Sequence, residues 1–488
     1  MNKRSLALLR NPMLALGLLG VAALPLAAHA AESPYEFKNG YPTEQTVKQV
    51  YDDIDLNRAI QSYRFFYPNV AFFALWKNNV ESGVVPNQTF NLVRGNPKRL
   101  AFTANSDTPY GSLILDLSSG PMVVELPPGP LMCVANDINQ RWVADLGLPG
   151  PDAGKGGKHL ILPPGYKGEV PEGYYVHTST TNGVVLLLRA LPKGGIEAAN
   201  QLMQTVKVHP LKPGADWKEP TWHNLGAVSG DSTPLKIENG IGYWKMLHEL
   251  IDSEPANPEY SNYYGELAAL GIAKGKPFAP DARMMAILEK AAQMGNAQLR
   301  VQSLADRRAE RVVWPDRHWE WAVLLQPESN MFVTPNYVDL ESREKWFYQA
   351  MVESPAMFRR APGAGSLYWL GARDDKGAYL DGGKTYKLRV PLPVPNKLFW
   401  SVTVYDSATR SQVQTSQDKA VLSSMFDLKD ASGDSVELYF GPEAPKGQEK
   451  HWIKTNPGQG WFTYFRVYGP EKATFDGTWK PGDFELVN

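Results

Sequence analysis

The feature that most constrains the fold is a pattern of short apolar runs, rich in branched and aromatic residues, that occurs in two separate parts of the chain. The first part lies between residues 90 and 191, and the second begins at Leu367. The clearest predicted strands are residues 113–117, 122–126, 184–188, 399–405 and 462–468. Clusters of glycine, proline and aspartate separate the runs, as turns separate strands. Many short strands with regular turns are typical of a sandwich or a jelly roll rather than a parallel sheet.

Helical spacing of apolar residues occupies other stretches. From residue 43 to about residue 80 the spacing is helical, and we expect Pro68 to divide this stretch into two helices because proline lacks a backbone donor. Further helices are predicted at residues 244–251, after an N-cap at Asp281, and around Phe347, Ala350 and Met351. Residues 192–240 carry weak signals and are predicted to be mostly irregular.

These patterns predict an α+β, mainly β fold class, with two β-sandwich or jelly-roll-like domains joined by a helical segment. The predicted divisions are a signal peptide at 1–30, an N-terminal β-rich domain with leading helices at 31–240, a helical linker region at 241–365 and a C-terminal β-sandwich domain at 366–488. The chain has 488 residues and 43% apolar content, which is enough for cores of this kind. Cys133 is the single cysteine, so no internal disulfide supports the fold.

The first residues have the pattern of a cleavable secretory signal. Basic residues precede an apolar run at residues 13–27, and residues 28–30 form a small-residue site with A-x-A spacing. A retained membrane anchor fits less well, because the run is short for a bilayer and Pro25 interrupts its end. We therefore expect a periplasmic or secreted protein with no membrane insertion after signal removal.

The charge balance and the motif content exclude several functional classes. Lys and Arg total 50 against 51 for Asp and Glu, and no long basic stripe alternates with aromatic residues. Nucleic acid is therefore not an expected partner. The sequence has no P-loop spacing, no Gly-x-Ser-x-Gly elbow and no local histidine pair with metal-ligand spacing. It therefore predicts no cofactor and no metal, and any histidine-rich site must assemble from distant segments.

Two sets of motifs carry a resemblance to known families. Residues 105–110, Asn-Ser-Asp-Thr-Pro-Tyr, run into the first predicted strand and resemble the family called domain of unknown function 1254. Residues 380–382, 399–406 and 466–470 resemble its usual C-terminal companion, domain of unknown function 1214. The resemblance implies two β-rich domains joined by helices, is compatible with a homo-oligomer, and implies no established reaction. It also points to Asp107, Tyr110 and Trp452 as functional residues.

The 105–110 loop is the best candidate site in the sequence. It places an amide, a carboxylate, hydroxyls and a phenol at the mouth of a β-domain, where loops on rigid sheets often bind ligands. Asp107 is a candidate general base and Tyr110 a candidate proton donor, while Asn105 and Thr108 are candidate ligand-binding residues. The alternative is an Asx-type turn in which the polar side chains bond backbone groups and Pro109 fixes the chain before the strand.

A second candidate region follows in the same domain. Arg141 can grip a carboxylate or phosphate through a bidentate fork, and Asp137 lies four residues before it. The glycine-rich stretch 147–157 is compatible with a mobile lid. A disordered surface loop is the alternative interpretation of that stretch.

Alternation along residues 461–468 predicts two different faces on one strand. Trp461, Phe465 and Val467 form the predicted core face. On the opposite face an arginine lies between two tyrosines, an arrangement that can bind an anionic or sugar-like ligand by charge and stacking. The same residues can equally form a structural cation–π ladder. The predicted ligand-binding residues of this domain are Trp400, Tyr405, Trp452, Tyr464, Arg466 and Tyr468.

Three functions remain compatible with the sequence. The first is an exported protein that binds a small polar or sugar-like organic molecule. The second is a metal-independent periplasmic hydrolase or lyase that uses Asp107 and Tyr110, with Arg141 holding an anionic group. The third is an oligomeric envelope assembly protein with aromatic sheet surface buried between subunits.

Overall fold

Two pairs of β-sheets contain most of the strands of this chain. The structure is a computed structural model, and it describes residues 33–192, 194–226, 229–358, 360–363 and 365–487. The predicted signal peptide at 1–30 lies outside the described residues. The described residues from Asp53 onward form one compact unit, and those up to Asp52 form another.

The first unit contains a hairpin and the start of the first helix. Strands β1 (Phe37–Lys38) and β2 (Tyr41–Pro42) pair antiparallel through a two-residue turn. The turn residues Asn39 and Gly40 have φ values of 54° and 84°. Positive φ at both positions is the geometry of a type I′ turn, which explains the Asn-Gly pair in the sequence.

The N-terminal sandwich consists of a six-stranded sheet packed on a four-stranded sheet. The strand orders are β13-β3-β5-β11-β7-β8 and β10-β9-β6-β12, and a separate two-stranded sheet pairs β14 with β4. Leu113, Leu186 and Val124 are among the fully buried side chains between the two larger sheets. The strands are β3 (Thr89–Arg94), β4 (Arg99–Leu100), β5 (Pro109–Asp116), β6 (Met122–Leu126), β7 (Leu131–Asp137), β8 (Trp142–Gly147), β9 (Gly157–Leu162), β10 (Tyr175–Thr178), β11 (Gly183–Ala190), β12 (Lys207–Pro210), β13 (Thr221–Gly226) and β14 (Gly230–Asp231).

Helices cover the outer face of the six-stranded sheet. Val185 from that sheet and Ile138, which directly follows β7, share a core with Phe66, Trp244 and other helical residues. The helices are α1 (Glu44–Glu81), α2 (Ile196–Gln204), α3 (Ile241–Ser253), α4 (Ser261–Ala269), α5 (Ala282–Leu304), α6 (Leu340–Gln349) and α7 (Pro355–Phe358). Among the described residues, no helix combines the length and the apolar content needed to cross a bilayer.

The helix predictions are confirmed in part. Asp281 caps α5, with its side chain accepting a hydrogen bond from the Met284 amide at 2.7 Å. The third predicted helix corresponds to α6, but it ends at Gln349, before Ala350 and Met351. Fewer than half of residues 192–240 lie in regular elements, which are α2 and strands β12 to β14, so the prediction that this stretch is mostly irregular agrees with the structure. Those elements are short and depend on pairing with distant strands, such as β12 with β6.

The prediction that Pro68 divides the first helix was wrong, since α1 continues through it. Two carbonyl groups near the proline accept hydrogen bonds from side chains outside the helix. Arg343 donates to the Phe65 carbonyl at 2.7 Å, and Gln140 donates to the Pro68 carbonyl at 2.7 Å. These tertiary contacts stabilise a turn that local sequence rules disfavour.

The C-terminal sandwich consists of a five-stranded and a four-stranded sheet. The strand orders are β15-β16-β22-β18-β19 and β21-β20-β17-β23. The two sandwiches and the helices confirm the α+β, mainly β fold class. β15 comes from the predicted linker region and pairs with β16. The strands are β15 (Trp319–Trp321), β16 (Ser366–Gly371), β17 (Tyr386–Pro391), β18 (Asn396–Asp406), β19 (Val421–Ser423), β20 (Ser435–Gly441), β21 (Trp452–Lys454), β22 (Trp461–Pro470) and β23 (Phe484–Leu486).

Strand β22 has both faces buried. Trp461, Phe465 and Val467 lie in the core between the two C-terminal sheets, as the alternation predicts. Tyr464 lies on the opposite face in a second core that includes Trp346 and other residues of α6. All ten residues of the strand are buried. The outer face of the five-stranded sheet is therefore covered rather than exposed to solvent.

A buried ion pair joins the C-terminal sandwich to the helices. Arg410 follows β18 and donates to both carboxylate oxygens of Glu238, at 3.1 and 2.9 Å. Its guanidinium group also lies 4.1 Å from the ring centre of Tyr348 and 4.4 Å from that of Phe102. Removal of one partner of such a pair leaves an uncompensated charge in the protein interior.

We predict that Arg410→Met lowers the free energy of unfolding by about 3–5 kcal/mol, because Glu238 then stays buried without its cation. Urea denaturation measures this change. Arg389→Met, at an exposed arginine on β17, is the matched control and should change stability by less than about 0.5 kcal/mol. Adding Glu238→Gln to Arg410→Met should recover part of the loss, and equal stability of wild type and Arg410→Met would contradict the prediction.

Buried carboxylates tie β8 to the segment before α7. Glu353 Oε1 accepts a hydrogen bond from the Trp142 amide at 3.0 Å, and Asp145 Oδ2 accepts one from the Ala356 amide at 3.4 Å. Burial raises the pKa of Glu353 to about 7 and that of Asp145 to about 6. A raised pKa in the folded state means that ionisation above that pH opposes folding.

We predict that wild type loses stability relative to Glu353→Gln as the pH rises from about 5 to about 8, by on the order of 2 kcal/mol. The sign follows from the raised pKa. The folded protein keeps Glu353 protonated, so this contribution to stability is full below the ordinary glutamate pKa and disappears as the pH rises through about 7. Urea denaturation at several pH values measures the difference. The surface variant Glu443→Gln should follow the wild-type profile, and a Glu353→Gln profile parallel to wild type would refute the prediction.

Candidate functional site

The 105–110 loop follows β4 and includes the first two residues of β5, and it lies against the C-terminal sandwich. Asn105 Oδ1 accepts a hydrogen bond from the Asp107 amide at 2.7 Å, which is an Asx turn, and Asn105 Nδ2 donates to the Tyr468 hydroxyl at 2.5 Å. The preceding segment also contacts the sheet, because the Thr103 carbonyl accepts from Arg466 and the Ala104 carbonyl accepts from Tyr405, both at 2.9 Å. The loop is thus fixed by hydrogen bonds from a strand 363 residues away.

Asp107 is fully buried at this junction. Its Oδ2 accepts a hydrogen bond from the Ser401 hydroxyl at 2.6 Å. Its Oδ1 has no hydrogen-bond partner among the described residues. Burial raises the pKa of Asp107, and Ser401 and the positive charge of Arg466 offset part of that increase. The carboxyl group therefore has one oxygen fixed and one oxygen available for another donor.

A polar row crosses the outer face of the five-stranded sheet. Ser423, Ser401, Arg466 and Tyr368 are direct register neighbours on four adjacent strands. The Arg466 guanidinium donates to the Thr403 hydroxyl and to the Thr103 carbonyl, both at 2.9 Å. Its Nε is buried without a partner among the described residues. This row presents hydroxyls, a phenol and a cation toward the N-terminal sandwich.

The six-stranded sheet contributes Arg189 and Tyr110 to the same place. These residues are register partners on β11 and β5, and both are partly exposed. The Arg189 guanidinium lies 5.6 Å from the Tyr110 ring centre, a cation–π contact. Arg189 also interacts electrostatically with Tyr468 and Tyr368 of the facing sheet. We call the six residues that meet here the inter-sandwich cluster: Asp107, Tyr110, Arg189, Tyr368, Arg466 and Tyr468.

An open cleft of about 530 Å³ lies beside the loop. Ser106 and Pro109 line it from the loop, and Arg94, Asn200 and Lys419 are among its other polar lining residues. Arg94 Nε donates to the Ser106 carbonyl at 3.1 Å, so the cleft wall and the loop are directly linked. The volume is within the usual range for small-molecule sites.

The other predicted residues of the N-terminal sandwich lie elsewhere. On β7, Met132 is the register partner of Arg189, whereas Asp137 is the partner of Val184. Five strand residues separate these positions, so Asp137 lies roughly 16 Å from the cluster end of the strand. Arg141 is beside Asp137 and already forms an ion pair with Glu259 at 2.8 Å. Asp137 itself accepts a hydrogen bond from the Thr180 hydroxyl.

The predicted residues of the C-terminal sandwich divide between two faces. Trp400 points into the sandwich core and stacks on Phe465, with ring centres 5.4 Å apart. Trp452 lies on β21, where its indole donates to the Gly441 carbonyl at 3.0 Å. Tyr464 contacts α6 by donating to Gln349 Oε1 at 2.7 Å. Tyr405 contacts the segment before the 105–110 loop. Within that loop, Thr108 is buried, and its hydroxyl has no partner among the described residues.

Family and structural comparisons match both halves of this site. Residues 86–210 match the family described as protein of unknown function DUF1254, and residues 365–472 match the family described as protein of unknown function DUF1214. The match to DUF1254 thus precedes the match to DUF1214 along the chain. The resemblance predicted from the motifs is therefore confirmed. No curated protein matches the chain significantly.

A solved structure shares the fold, and a second one aligns with the chain at a lower score. The crystal structure of the VPA0106 protein from Vibrio parahaemolyticus is similar over 89% of this chain and 100% of that chain, with 16% identity and a TM-score of 0.54. The crystal structure of an uncharacterized protein from Burkholderia cenocepacia aligns over 91% of this chain and 97% of that chain, with 11% identity and a TM-score of 0.41. The first of these comparisons shows that the fold extends over both domains.

Each domain supplies half of the inter-sandwich cluster. Asp107, Tyr110 and Arg189 belong to the DUF1254 domain, and the other three residues belong to the DUF1214 domain. Sequence reasoning missed Arg189, Tyr368 and Ser401. Arg189 directly follows the apolar run 184–188, so a charge at the end of a buried strand was the available signal. Among the described residues, no group of three or more His, Cys, Asp or Glu side chains is placed to hold a metal ion.

We predict that Gly95→Ala displaces the 105–110 loop, because an added Cβ would lie 2.3 Å from the Asn105 carbonyl oxygen. The expected loss of stability is about 1–3 kcal/mol, with faster amide exchange at Asp107, measured by hydrogen–deuterium exchange. Gly214→Ala is the control, since an added Cβ there has open space around it. Unchanged protection at Asp107 in Gly95→Ala would show that the loop does not depend on this close approach.

Proposed function

We propose that this is an exported protein that binds a small polar organic molecule between its DUF1254 and DUF1214 domains. The proposal rests on one observation. Where the 105–110 loop contacts the polar row of the five-stranded sheet, Asp107 Oδ1 and Arg466 Nε are buried and have no hydrogen-bond partner among the described residues. Buried polar groups are normally hydrogen-bonded, so such atoms mark a place where another molecule completes the contacts.

The chemistry of the cluster suits a compact ligand with both polar and flat surfaces. Asp107 Oδ1 can accept a hydrogen bond from a hydroxyl or amine, while the guanidinium groups and phenols can donate. The rings of Tyr110, Tyr368 and Tyr468 offer apolar faces for stacking. A few converging polar groups among aromatic side chains are typical of small-molecule sites. The neighbouring cleft gives the proposed route from solvent, since Ser106 and Pro109 flank Asp107.

Export is supported by the basic start, the apolar run and the A-x-A site of residues 1–30. The proposal places the mature protein in the periplasm or outside the cell. N-terminal sequencing of the protein recovered from a periplasmic fraction should give a start near Ala31. Recovery in the cytosol with Met1 retained would contradict export.

One observation favours a second candidate function, a hydrolase or lyase that acts on the bound molecule. Asp107 has a raised pKa and a free oxygen, which are the properties of a general acid or base. Arg141 has no part in this version, because its partner is Glu259 at the far end of β7. If a turnover is found, Asp107→Asn should reduce kcat by at least about 100-fold.

We predict that Asp107→Asn weakens binding of the small molecule at least about tenfold, because an amide nitrogen or a reoriented amide replaces the free carboxylate oxygen. Thermal-shift screening of the wild-type protein with polar metabolites and oligosaccharides identifies the compound, and isothermal titration calorimetry gives both affinities.

The matched control is Asp434→Asn, at an exposed aspartate in the turn before β20. This variant should bind the compound like wild type. The proposal is wrong if no compound binds, or if a compound binds wild type and Asp107→Asn equally well.

A further inference from the structure

The inter-sandwich cluster contains more positive than negative charge. Arg189 and Arg466 each carry a guanidinium group, and Asp107 is the carboxylate that interacts electrostatically with both. Neither guanidinium has a carboxylate oxygen within 4.0 Å among the described residues. With Asp107 ionised, the cluster has a net charge of one positive unit.

The two most deeply buried cations among the described residues are neutralised directly. Arg410 and Lys345 both have an exposed fraction of 0%, and their carboxylate partners are Glu238 at 2.9 Å and Glu320 at 3.1 Å. An unpaired charge in a protein interior is costly. Arg343 is also buried, and it donates to the Phe65 carbonyl rather than to a carboxylate, so the cluster differs from Arg410 and Lys345 but not from every buried cation.

The two arginines of the cluster differ in their contacts. Arg466 donates to a hydroxyl and to a carbonyl, and so contributes to the junction between the domains. Arg189 contacts the Tyr110 ring, with its guanidinium 5.6 Å from the ring centre, and remains partly exposed. The guanidinium of Arg189 thus has donors left for another group.

The position of Arg189 does not require an arginine for packing. It lies on central strand β11, on the same face as Val185 and Leu187, with Tyr110 and Met132 as register neighbours. An apolar side chain of similar length would pack there without the cost of desolvating a charge. A residue that costs stability at a candidate site is characteristic of a binding function.

We propose that Arg189 binds the carboxylate group of a small organic monoanion, and that this monoanion is the class of molecule held between the two domains. This inference rests on the proposed function and specifies its ligand. One negative charge neutralises the cluster, whereas a dianion would leave an excess of negative charge. Guanidinium groups bind carboxylates through paired N–H donors, which also orients the ligand.

Benzoate and benzamide are suitable probes because they share shape and ring but differ in charge. Titration calorimetry should show that wild type binds benzoate at least about tenfold more tightly than benzamide, as expected for a charge-assisted bidentate contact. In Arg189→Met the preference should fall to about one, because the opposite charges of Arg466 and Asp107 then leave the cluster without net charge. Arg389→Met, at the exposed arginine of β17, should keep the wild-type preference.

Thermal unfolding of the same variants separates a ligand-binding arginine from a structural one. Arg189→Met should unfold at or above the wild-type temperature without ligand, and benzoate should stabilise wild type but not this variant. A lower unfolding temperature for Arg189→Met together with equal binding of both probes would overturn the inference. If a neutral compound binds wild type and Arg189→Met equally but loses affinity in Asp107→Asn, the monoanion is wrong and the proposed function stands. If no compound binds at all, both fail.

Discussion

The structure depends on the burial of a polar surface, the outer face of the five-stranded sheet. That face carries Arg466, Ser401 and several tyrosines, and it is covered by the segment 103–107 of the other sandwich. A polar face can be buried only if its donors and acceptors find partners. The carbonyl groups of Thr103 and Ala104 supply them, by accepting hydrogen bonds from Arg466, Tyr405 and Gln412. The two sandwiches are therefore joined by directional contacts at this place.

Directional contacts explain why the same junction is the candidate site. Hydrogen bonds fix the positions of the loop and the strand more narrowly than apolar packing does, and this precision is what ligand recognition requires. The junction also leaves atoms that it does not use, chiefly Asp107 Oδ1 and Arg466 Nε. Those two atoms have no hydrogen-bond partner among the described residues, so they are the positions at which a bound molecule can supply one.

The sequence predicted the features that depend on neighbouring residues. Alternation along β22 identified its core face, and Asp281 was identified as a cap, because strand periodicity and capping act within a few residues. It did not predict what covers the face of Tyr464, Arg466 and Tyr468, since periodicity separates two faces without naming the partner of either. The predicted helix break at Pro68 was wrong for the same reason. Arg343 and Gln140, which donate hydrogen bonds to the nearby carbonyl groups, are distant from Pro68 in sequence.

Neither domain alone contains a complete inter-sandwich cluster. The DUF1254 domain alone would expose Asp107 to water, and the DUF1214 domain alone would expose Arg466, so neither charge would be desolvated. Only the docked pair excludes water from both and brings Arg189 opposite Tyr368 and Tyr468. Electrostatic selectivity is strongest where water is excluded, because the local dielectric is low. The pair of domains, rather than either one, is therefore the smallest unit in which this arrangement can recognise charge.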